Sequence, residues 1–280
     1  MLRMGNPSVS VGSAMSDGGV PVRLLPDHLI AIGEPVATTS RVSELVGLAP
    51  RSLHAGLSRL RRQGRLFSPT RGLYVAIPPQ YRSWGVVPAS WWIDAMMAHL
   101  GRGYYVALLT AAAIHGAAHQ SPQVFQVVVD RQVADRDLQR VRLRFHVSAA
   151  LPSLPDGAVV RVATETGSMA VSSRELTAID LAANPTRSGG LDNVATVLVE
   201  LGELDTDLLA AIGPLYPRAT IRRLGWLLDE IVDVDGLDAL KRFAEPAVSP
   251  PTPLDVAGPS RAPRNTTWGI VENATVEPDR

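Results

Sequence analysis

The stretch APRSLHAGLSRLRRQGRLFSPTRGLYVA, residues 49–76, decides how the first part of this chain folds. It opens with Pro50, which suits the first position of a helix because its missing N–H needs no partner there. Three leucines then recur at helical spacing and form one apolar stripe: Leu53, Leu57 and Leu60. Gly64 ends the pattern. These residues predict a helix over 50–64 that packs its leucines inward.

The segment before this helix predicts two shorter helices. TTSRVSELVGLAP begins with Ser40 as a helix cap and reaches Gly47 as the residue that ends the helix. Its apolar face consists of Val42, Leu45 and Val46. Residues 20–33 predict another helix, with three side chains facing inward: Leu25, Leu29 and Ile32.

The segment after the helix predicts a hairpin. RLF and GLYVAI are short β-prone runs, and the turn SPTRG between them carries Arg71 near its tip. Helix, short helix, tight turn, longer helix and hairpin follow one another in the order of a winged helix-turn-helix.

Positive charge is concentrated in this part of the chain. The 280 residues have no formal net charge, yet residues 1–82 hold ten arginines and four acids, which gives 10 − 4 = +6. No acid occurs between Glu44 and Asp94. A solvated helix face usually mixes both signs, so this run favours a polyanion as partner. A solvated face in an arginine-rich chain, or a winged helix that binds protein, remains an alternative.

The predicted helix 50–64 has the surface that a DNA-reading helix needs, because short side chains let it enter a major groove ~12 Å wide and arginine pairs with guanine. Opposite the leucines lie Arg51, Ala55, Ser58 and Arg62, flanked by His54 and Arg59. Nearer the phosphates we expect Arg61, Arg65 and Arg71, together with Thr39, Ser40 and Arg41 at the start of the preceding helix. The predicted DNA-binding residues are Arg41, Arg51, Ser52, His54, Ala55, Ser58, Arg59, Arg61, Arg62, Arg65 and Arg71.

A second, larger domain follows a proline-bearing connector. The predicted helices are WWIDAMMAHLG, YYVALLTAAAIHGA, SSRELTAIDLAANP, GLDNVATVLVELGE, TDLLAAIGPLY and TIRRLGWLLDEIV. The predicted strands are SPQVFQVVVD, VRLRFHVS, AVVRVAT and GSMAVSS. Ser172 and Glu175 form a capping-box pattern at the start of SSRELTAIDLAANP. The fold class is therefore α+β, an N-terminal winged helix-turn-helix followed by a larger mixed α/β domain.

The predicted domain boundaries follow composition. They are a disordered start over 1–19, the winged helix over 20–80, the α/β domain over 88–246, a Pro-rich linker over 247–264 and a strand over 265–276 that docks back. The chain has no cysteine, no signal-peptide pattern and no apolar run of ~18 residues. We expect a cytoplasmic protein that does not enter a membrane.

No pattern in the sequence assembles a catalytic site. His115 and His119 are helically spaced but lack a metalloprotease motif, so we expect no metal. Nucleotide-binding glycine motifs and a GxSxG elbow are absent, and no cofactor is expected. Three acids after a predicted strand fit a solvated loop: Asp130, Asp135 and Asp137. Asp180 falls near a helix end, where such residues usually cap. The chain is predicted not to be an enzyme, with a cryptic nucleotide-dependent enzyme in the second domain as an alternative.

Three motifs of the second domain, together with the winged helix before them, resemble a known family. They are YYVALLTAAAIHGAAHQSPQVFQVVV, SSRELTAIDLAANPTRSGGLDNVATVLVELG and RRLGWLLD. Over about residues 21–275 the chain resembles the AbiEi-type antitoxins of abortive-infection, type IV toxin–antitoxin operons, in their actinobacterial or mycobacterial form. The second-domain motifs are fairly specific to that family, whereas the helix-turn-helix is not.

The resemblance implies a transcriptional autorepressor whose winged helix binds an inverted repeat in its own promoter. It also implies that the second domain counters a co-expressed nucleotidyltransferase toxin. The family's recognition helix and wing map onto Arg51, Ser58, Arg59, Arg62, Arg65 and Arg71. The implied partners are double-stranded DNA and the toxin, with a monomer or weak dimer placing two protomers on each operator. The alternative is a module that binds the toxin directly and has only non-specific affinity for DNA.

Overall fold

A computed structural model of the protein describes residues 19–117, 122–245 and 250–279. The predicted fold class is confirmed, because a winged helix-turn-helix precedes a larger mixed α/β domain. The disorder predicted for residues 1–19 lies, apart from Gly19, outside the described residues.

The winged helix-turn-helix contains three helices and three short strands. The helices are α1 (Leu25–Ala31), α2 (Thr39–Val46) and α3 (Pro50–Arg62), and the strands are β1 (Val36–Thr38), β2 (Leu66–Phe67) and β3 (Leu73–Ala76). The strands form an antiparallel sheet in the order β1–β3–β2, with Val36 opposite Val75 and Leu66 opposite Ala76. Strand β1 was not predicted from the sequence, because three residues are too few to show an alternating pattern.

Leucines of α1 and α3, with valines of α2, fill the core of this domain. Leu25, Leu29, Leu53, Leu57 and Leu60 are all buried. The stripe predicted for α3 therefore faces inward as expected.

Two details of the predicted first helices are wrong. Ile32 is 41% exposed, because α1 ends one residue earlier and Ile32 leaves the inward face. The cap of α2 is Thr38 rather than Ser40, since the Thr38 hydroxyl accepts a 3.3 Å hydrogen bond from the Arg41 N–H. Gly47 ends α2 with φ 73°, as its place in the sequence predicted.

The second domain contains a mixed sheet, a helical layer and a small C-terminal sheet. Its helices are α4 (Ile93–Leu100), α5 (Leu108–Ile114), α6 (Arg174–Ala183), α7 (Leu191–Leu201), α8 (Thr206–Ile212), α9 (Arg218–Leu227) and α10 (Asp238–Ala244). The main sheet consists of β4 (Tyr104–Val106), β5 (Phe125–Val129), β6 (Arg136–Leu138), β7 (Val141–Val147), β8 (Val159–Thr164) and β9 (Gly167–Ser172). The small sheet consists of β10 (Thr252–Pro253), β11 (Arg264–Asn265) and β12 (Ile270–Val271).

The main sheet runs in the order β6–β7–β5–β4–β9–β8, and its central strands β5, β4 and β9 are mostly buried. Strands β5 and β7 pair in parallel, as do β4 and β9, and the other neighbours are antiparallel. Tyr105 and Val128 face the cluster formed with the helices, whereas Val106 and Val127 face a second cluster that includes α4. This alternation follows the two-residue period of a strand.

Three predictions for the second domain are corrected by the structure. YYVALLTAAAIHGA is not one helix, because Tyr104–Val106 form the central strand β4 before α5 begins. Ser173, and not Ser172, caps α6 by accepting a hydrogen bond from the Leu176 N–H. Asp180 does not cap a helix end either, since it lies within α6 and is buried. Strand β6 and helix α10 were not predicted.

The two domains share a hydrophobic core. Leu73, Val75 and Ile77 of the winged helix cluster with buried residues of the second domain such as Met96 and Val127. Phe67 in β2 contacts Trp92 edge to face, with ring centroids 5.6 Å apart. The connector therefore joins two parts that pack directly on each other.

The C-terminal segment wraps around α9. Arg222 donates to the carbonyls of Ala244 and Pro250, and Arg223 donates to those of Ala182 and Leu254. Trp268 is fully buried against Gly225, where an added Cβ would lie 2.0 Å from the indole ring. Two buried arginines and one glycine thus fix residues that the sequence analysis treated as a linker and a single strand.

Candidate nucleic-acid interface

Helix α3 presents an exposed face of basic and short side chains. With its leucines buried, the residues on the opposite side are exposed, and these include every α3 residue of the predicted DNA-binding set: Arg51, Ser52, His54, Ala55, Ser58, Arg59, Arg61 and Arg62. The N-terminus of α3 follows a tight turn made possible by the left-handed conformation of Gly47. The face is therefore held by a core on one side and open to solvent on the other.

The arginines of this surface fall into two groups. Arg41 forms ion pairs with Glu34 at 3.0 Å and Glu44 at 3.4 Å, and hydrogen bonding with Glu34 raises its pKa. Arg65 forms an ion pair with Asp27 at 2.6 Å and donates to the Arg23 carbonyl. These two guanidinium groups are already engaged inside the winged helix.

The other arginines have no carboxylate partner among the described residues. They are Arg51, Arg59, Arg61, Arg62 and Arg71. A guanidinium without a partner keeps its donors free for a phosphate or a guanine edge, so these five form the candidate interface. Sequence shows only the local Arg41–Glu44 spacing of three residues on α2, because Glu34 and Asp27 approach through the tertiary fold.

The wing is held by both domains. The Thr39 hydroxyl donates to the Gly72 carbonyl at 3.2 Å, within the winged helix. From the second domain, His99 Nε2 lies 3.0 Å from the Arg71 carbonyl oxygen, and Arg136 Nε donates to the Pro69 carbonyl at 3.3 Å. These contacts fix the backbone of the turn and leave the Arg71 side chain exposed.

The residues weighed for metal or catalysis have structural roles in the described part of the chain. His115 Nε2 lies 2.7 Å from the Ser172 carbonyl oxygen, and His119 falls outside the described residues. Asp135 accepts a hydrogen bond from the Phe145 N–H, and Asp137 forms an ion pair with Arg144. No group of three or more His, Asp or Glu residues within the described ranges is placed to hold a metal ion.

A buried polar cluster in the second domain was missed by the sequence analysis. The Tyr105 and Tyr216 hydroxyls donate to the two carboxylate oxygens of Asp180 at 3.0 Å and 2.7 Å. Burial raises the pKa of Asp180 to about 7, although the hydrogen bonds from the two tyrosines oppose the shift. Spacing gave no signal, because the three residues come from separate elements.

Comparison with known proteins places the second domain in a family. Residues 105–230 match the family described as the AbiEi antitoxin C-terminal domain. This part of the chain is similar to an AbiEi antitoxin C-terminal domain. The resemblance noted in the sequence is therefore confirmed for the AbiEi domain, residues 105–230, which runs from β4 to the π-helical turn that continues α9. The winged helix lies outside the matched residues. No curated protein matches the sequence.

Two solved structures are similar to the chain. The RV2827C protein from Mycobacterium tuberculosis is 17% identical, covers 91% of this chain and 92% of its own, and gives a TM-score of 0.62, a likeness of fold. An antigenic nucleotidyltransferase-like protein from Paracoccidioides brasiliensis is 12% identical and covers 53% of this chain and 88% of its own. Its TM-score of 0.30 is too low to support an argument. None of the helices in the described residues is long and apolar enough to cross a membrane.

Proposed function

We propose that this protein is a DNA-binding antitoxin that represses its own toxin–antitoxin operon in the cytoplasm. The observation that carries the proposal is the exposed face of α3, where four arginines lack a carboxylate partner among the described residues: Arg51, Arg59, Arg61 and Arg62. The AbiEi domain that follows supports the antitoxin role.

The chemistry of the α3 face suits a major groove. Ala55 and Ser58 are short enough to let the helix backbone approach the bases, and Arg62 beside them can pair bidentately with guanine O6 and N7. The exposed Arg61 and the wing residue Arg71 would contact phosphates, which supply salt-dependent affinity without sequence information. An inverted repeat would be occupied by two protomers, one on each half-site.

The second domain is proposed to counter a nucleotidyltransferase toxin. This part of the proposal rests on the AbiEi family match of residues 105–230. Co-expression of the toxin gene from the same operon with the full chain should restore growth, whereas a chain that carries a disrupted AbiEi core should not. A toxin that remains active in the presence of folded full-length protein would refute this role.

The DNA-binding role is tested by fluorescence-anisotropy titration at ~150 mM salt. The duplex upstream of the protein's own gene is compared with a scrambled duplex of the same length. We expect at least ~100-fold tighter binding to the native duplex, because phosphate contacts alone cannot discriminate between sequences. The matched control is Arg242→Ala, which removes an exposed arginine from α10, away from α3. Equal and weak binding to both duplexes would refute operator recognition and favour a module that binds the toxin.

A further inference from the structure

Helix α3 faces a hairpin of the AbiEi domain across a groove. The groove has a volume of about 630 Å³. One wall carries Ser58, Arg61 and Arg62 of α3, and the other carries Asp137, Leu138 and Gln139 from β6 and the turn that joins it to β7. Ser58 and Arg62 belong to the exposed face of α3, so the C-terminal half of that face opens directly towards the second domain.

Three contacts fix the hairpin relative to the winged helix. Arg136 at the start of β6 donates to the Pro69 carbonyl of the wing. The Gln139 side chain lies beside Gly85 of the connector, where an added Cβ would be 3.4 Å from the Gln139 Cγ. Arg140 lies over the ring of Trp84, with its guanidinium carbon 5.4 Å from the ring centroid. The separation of α3 and the hairpin is therefore set by the fold.

The hairpin as a whole carries a net positive charge beside the groove, although its residues in the groove lining are Asp137, Leu138 and Gln139. Residues 135–144 contain four arginines and two aspartates, 4 − 2 = +2. Both aspartates pair with one arginine, because Arg144 lies 2.8 Å from Asp137 and 3.6 Å from Asp135. Hydrogen bonding from Arg144 lowers the pKa of Asp137, which stays ionised and neutralised. Arg140 and Arg142 are exposed and have no carboxylate ion pair among the described residues.

We propose that the β6–β7 hairpin of the AbiEi domain binds the phosphodiester backbone of the operator duplex, with Arg140 and Arg142 as phosphate contacts. This inference rests on the proposed function. A duplex that receives α3 in its major groove would bring one flanking phosphate strand towards the opposite wall of the protein groove. That wall is the hairpin, whose net charge attracts phosphate. The second domain thereby extends the DNA surface beyond the winged helix.

The inference is tested with the double variant Arg140→Ala/Arg142→Ala. Anisotropy titrations with the native and the scrambled duplex are repeated at several salt concentrations. Each phosphate contact contributes roughly 0.9 to the slope of log K against log[salt], so the slope should fall by about 1.8 and affinity at 150 mM by on the order of 10-fold. The ratio of native to scrambled affinity should not change, because phosphates carry no sequence information.

Charge, and not the shape of the side chain, should decide the outcome. The variant Arg140→Lys/Arg142→Lys should keep most of the salt slope, and Arg242→Ala should keep all of it. Thermal melting of each variant identifies any loss of folded protein before titration.

Two outcomes overturn the inference, and they separate it from the proposed function. If the wild-type protein binds its operator and Arg62→Ala weakens that binding, while Arg140→Ala/Arg142→Ala changes neither slope nor affinity, the hairpin does not touch DNA and only this inference fails. Loss of toxin protection in that folded double variant, with DNA binding intact, would assign the hairpin to the toxin. If the wild-type protein shows no preference for its operator, the proposed function fails and the inference falls with it.

Discussion

Arg62 and Arg65 are three positions apart in sequence, yet the structure gives them different roles. Arg62 is exposed and has no ion pair among the described residues, whereas Arg65 is held by Asp27 at 2.6 Å. Both arginines belong to the DNA-binding set that was predicted from the sequence. The distinction comes from α1, which brings Asp27 next to the end of α3, and no local pattern encodes that approach.

The pair of variants Arg62→Ala and Arg65→Ala tests this distinction. Arg62→Ala should cost ~1–3 kcal/mol of operator binding and reduce the ratio of native to scrambled affinity, if Arg62 pairs with a base. Arg65→Ala should leave that ratio unchanged and lower the free energy of unfolding by about 1 kcal/mol, because it removes a half-buried ion pair and a hydrogen bond to the Arg23 carbonyl. Anisotropy and chemical denaturation measure the two quantities, and the reverse pattern would contradict the assignment.

Asp180 should make stability depend on pH. Its pKa is raised to about 7 in the folded protein from 3.8, so the folded state holds the proton more tightly than the unfolded state. The stabilisation is fully present below the unfolded pKa and is lost as pH rises through about 7. We therefore expect the free energy of unfolding to fall between pH 4 and pH 8, by roughly 4 kcal/mol at most from this group.

Asp180→Asn isolates that contribution. The variant cannot ionise at this position, so its free energy of unfolding should not decrease between pH 4 and pH 8 as that of the wild type does. The stability of the variant relative to the wild type should therefore increase as pH rises. Asp156→Asn, at an exposed aspartate, serves as the control and should preserve the wild-type slope. Parallel pH profiles for the wild type and Asp180→Asn, measured by denaturant titration, would show that Asp180 titrates normally.

At the scale of elements, the wing is positioned by the second domain. His99 on α4 has its Nε2 atom 3.0 Å from the Arg71 carbonyl oxygen. Its ring is exposed and is not part of a hydrophobic core. His99→Ala should weaken operator binding by roughly fivefold, since a hydrogen bond of this kind contributes about 1 kcal/mol. The salt slope should stay constant, because no phosphate contact is removed.

A variant that keeps a donor distinguishes positioning from packing. The amide of His99→Gln can donate to the same carbonyl, so binding should recover most of the wild-type affinity. A reduced salt slope in His99→Ala would instead mean that His99 meets the DNA itself.

Long elements with a clear period were predictable, and short ones were not. The three leucines of α3 specified both its position and its buried face. Strand β4 was mistaken for helix, because an apolar run of three residues joined to an alanine-rich helix shows no change of period. Strands β1 and β6 also have only three residues each. They are defined by hydrogen bonds to their partner strands β3 and β7, which a local sequence pattern does not show.

The capping errors have a common cause. Consecutive hydroxyl residues stand at the start of each helix: Thr38, Thr39 and Ser40 at α2, and Ser172 and Ser173 at α6. Which one caps depends on backbone direction, since the capping residue must be extended while its side chain turns back to the third residue of the helix. Ser172 lies at the end of β9, where its hydroxyl meets Thr177 and the Val106 carbonyl instead.

At the scale of the molecule, the candidate DNA surface depends on how the two domains pack. Sequence supplied the arginines of α3 and the wing, but the facing hairpin belongs to a stretch that was treated as part of a separate domain. Composition placed a boundary where the structure has a continuous core that includes Leu73, Val75 and Ile77. A linear sequence shows where prolines interrupt the chain and does not show which apolar side chains meet across the interruption.

The shared core predicts that the protein unfolds in a single transition. Ile77 is 1% exposed and sits where β3 leaves the winged helix for the second domain. Ile77→Ala should lower the free energy of unfolding by about 2–5 kcal/mol, the usual cost of a cavity at a buried isoleucine. Because the side chain belongs to both domains, the whole melting curve should shift together, as seen by far-ultraviolet circular dichroism and by tryptophan fluorescence.

The exposed apolar residue Val256 provides the control, since it is 82% exposed and Val256→Ala should leave the midpoint unchanged. Two separate transitions in the wild type, or a shift confined to one of two transitions in Ile77→Ala, would mean that the domains fold independently. The two domains would then not keep one fixed arrangement. Without that arrangement, the contacts of His99 and Arg136 with the wing would be lost, as would the groove between α3 and the β6–β7 hairpin. A single transition that moves as a whole would mean that the DNA surface and the AbiEi domain form one cooperative unit, so that a change in either one affects the stability of the other.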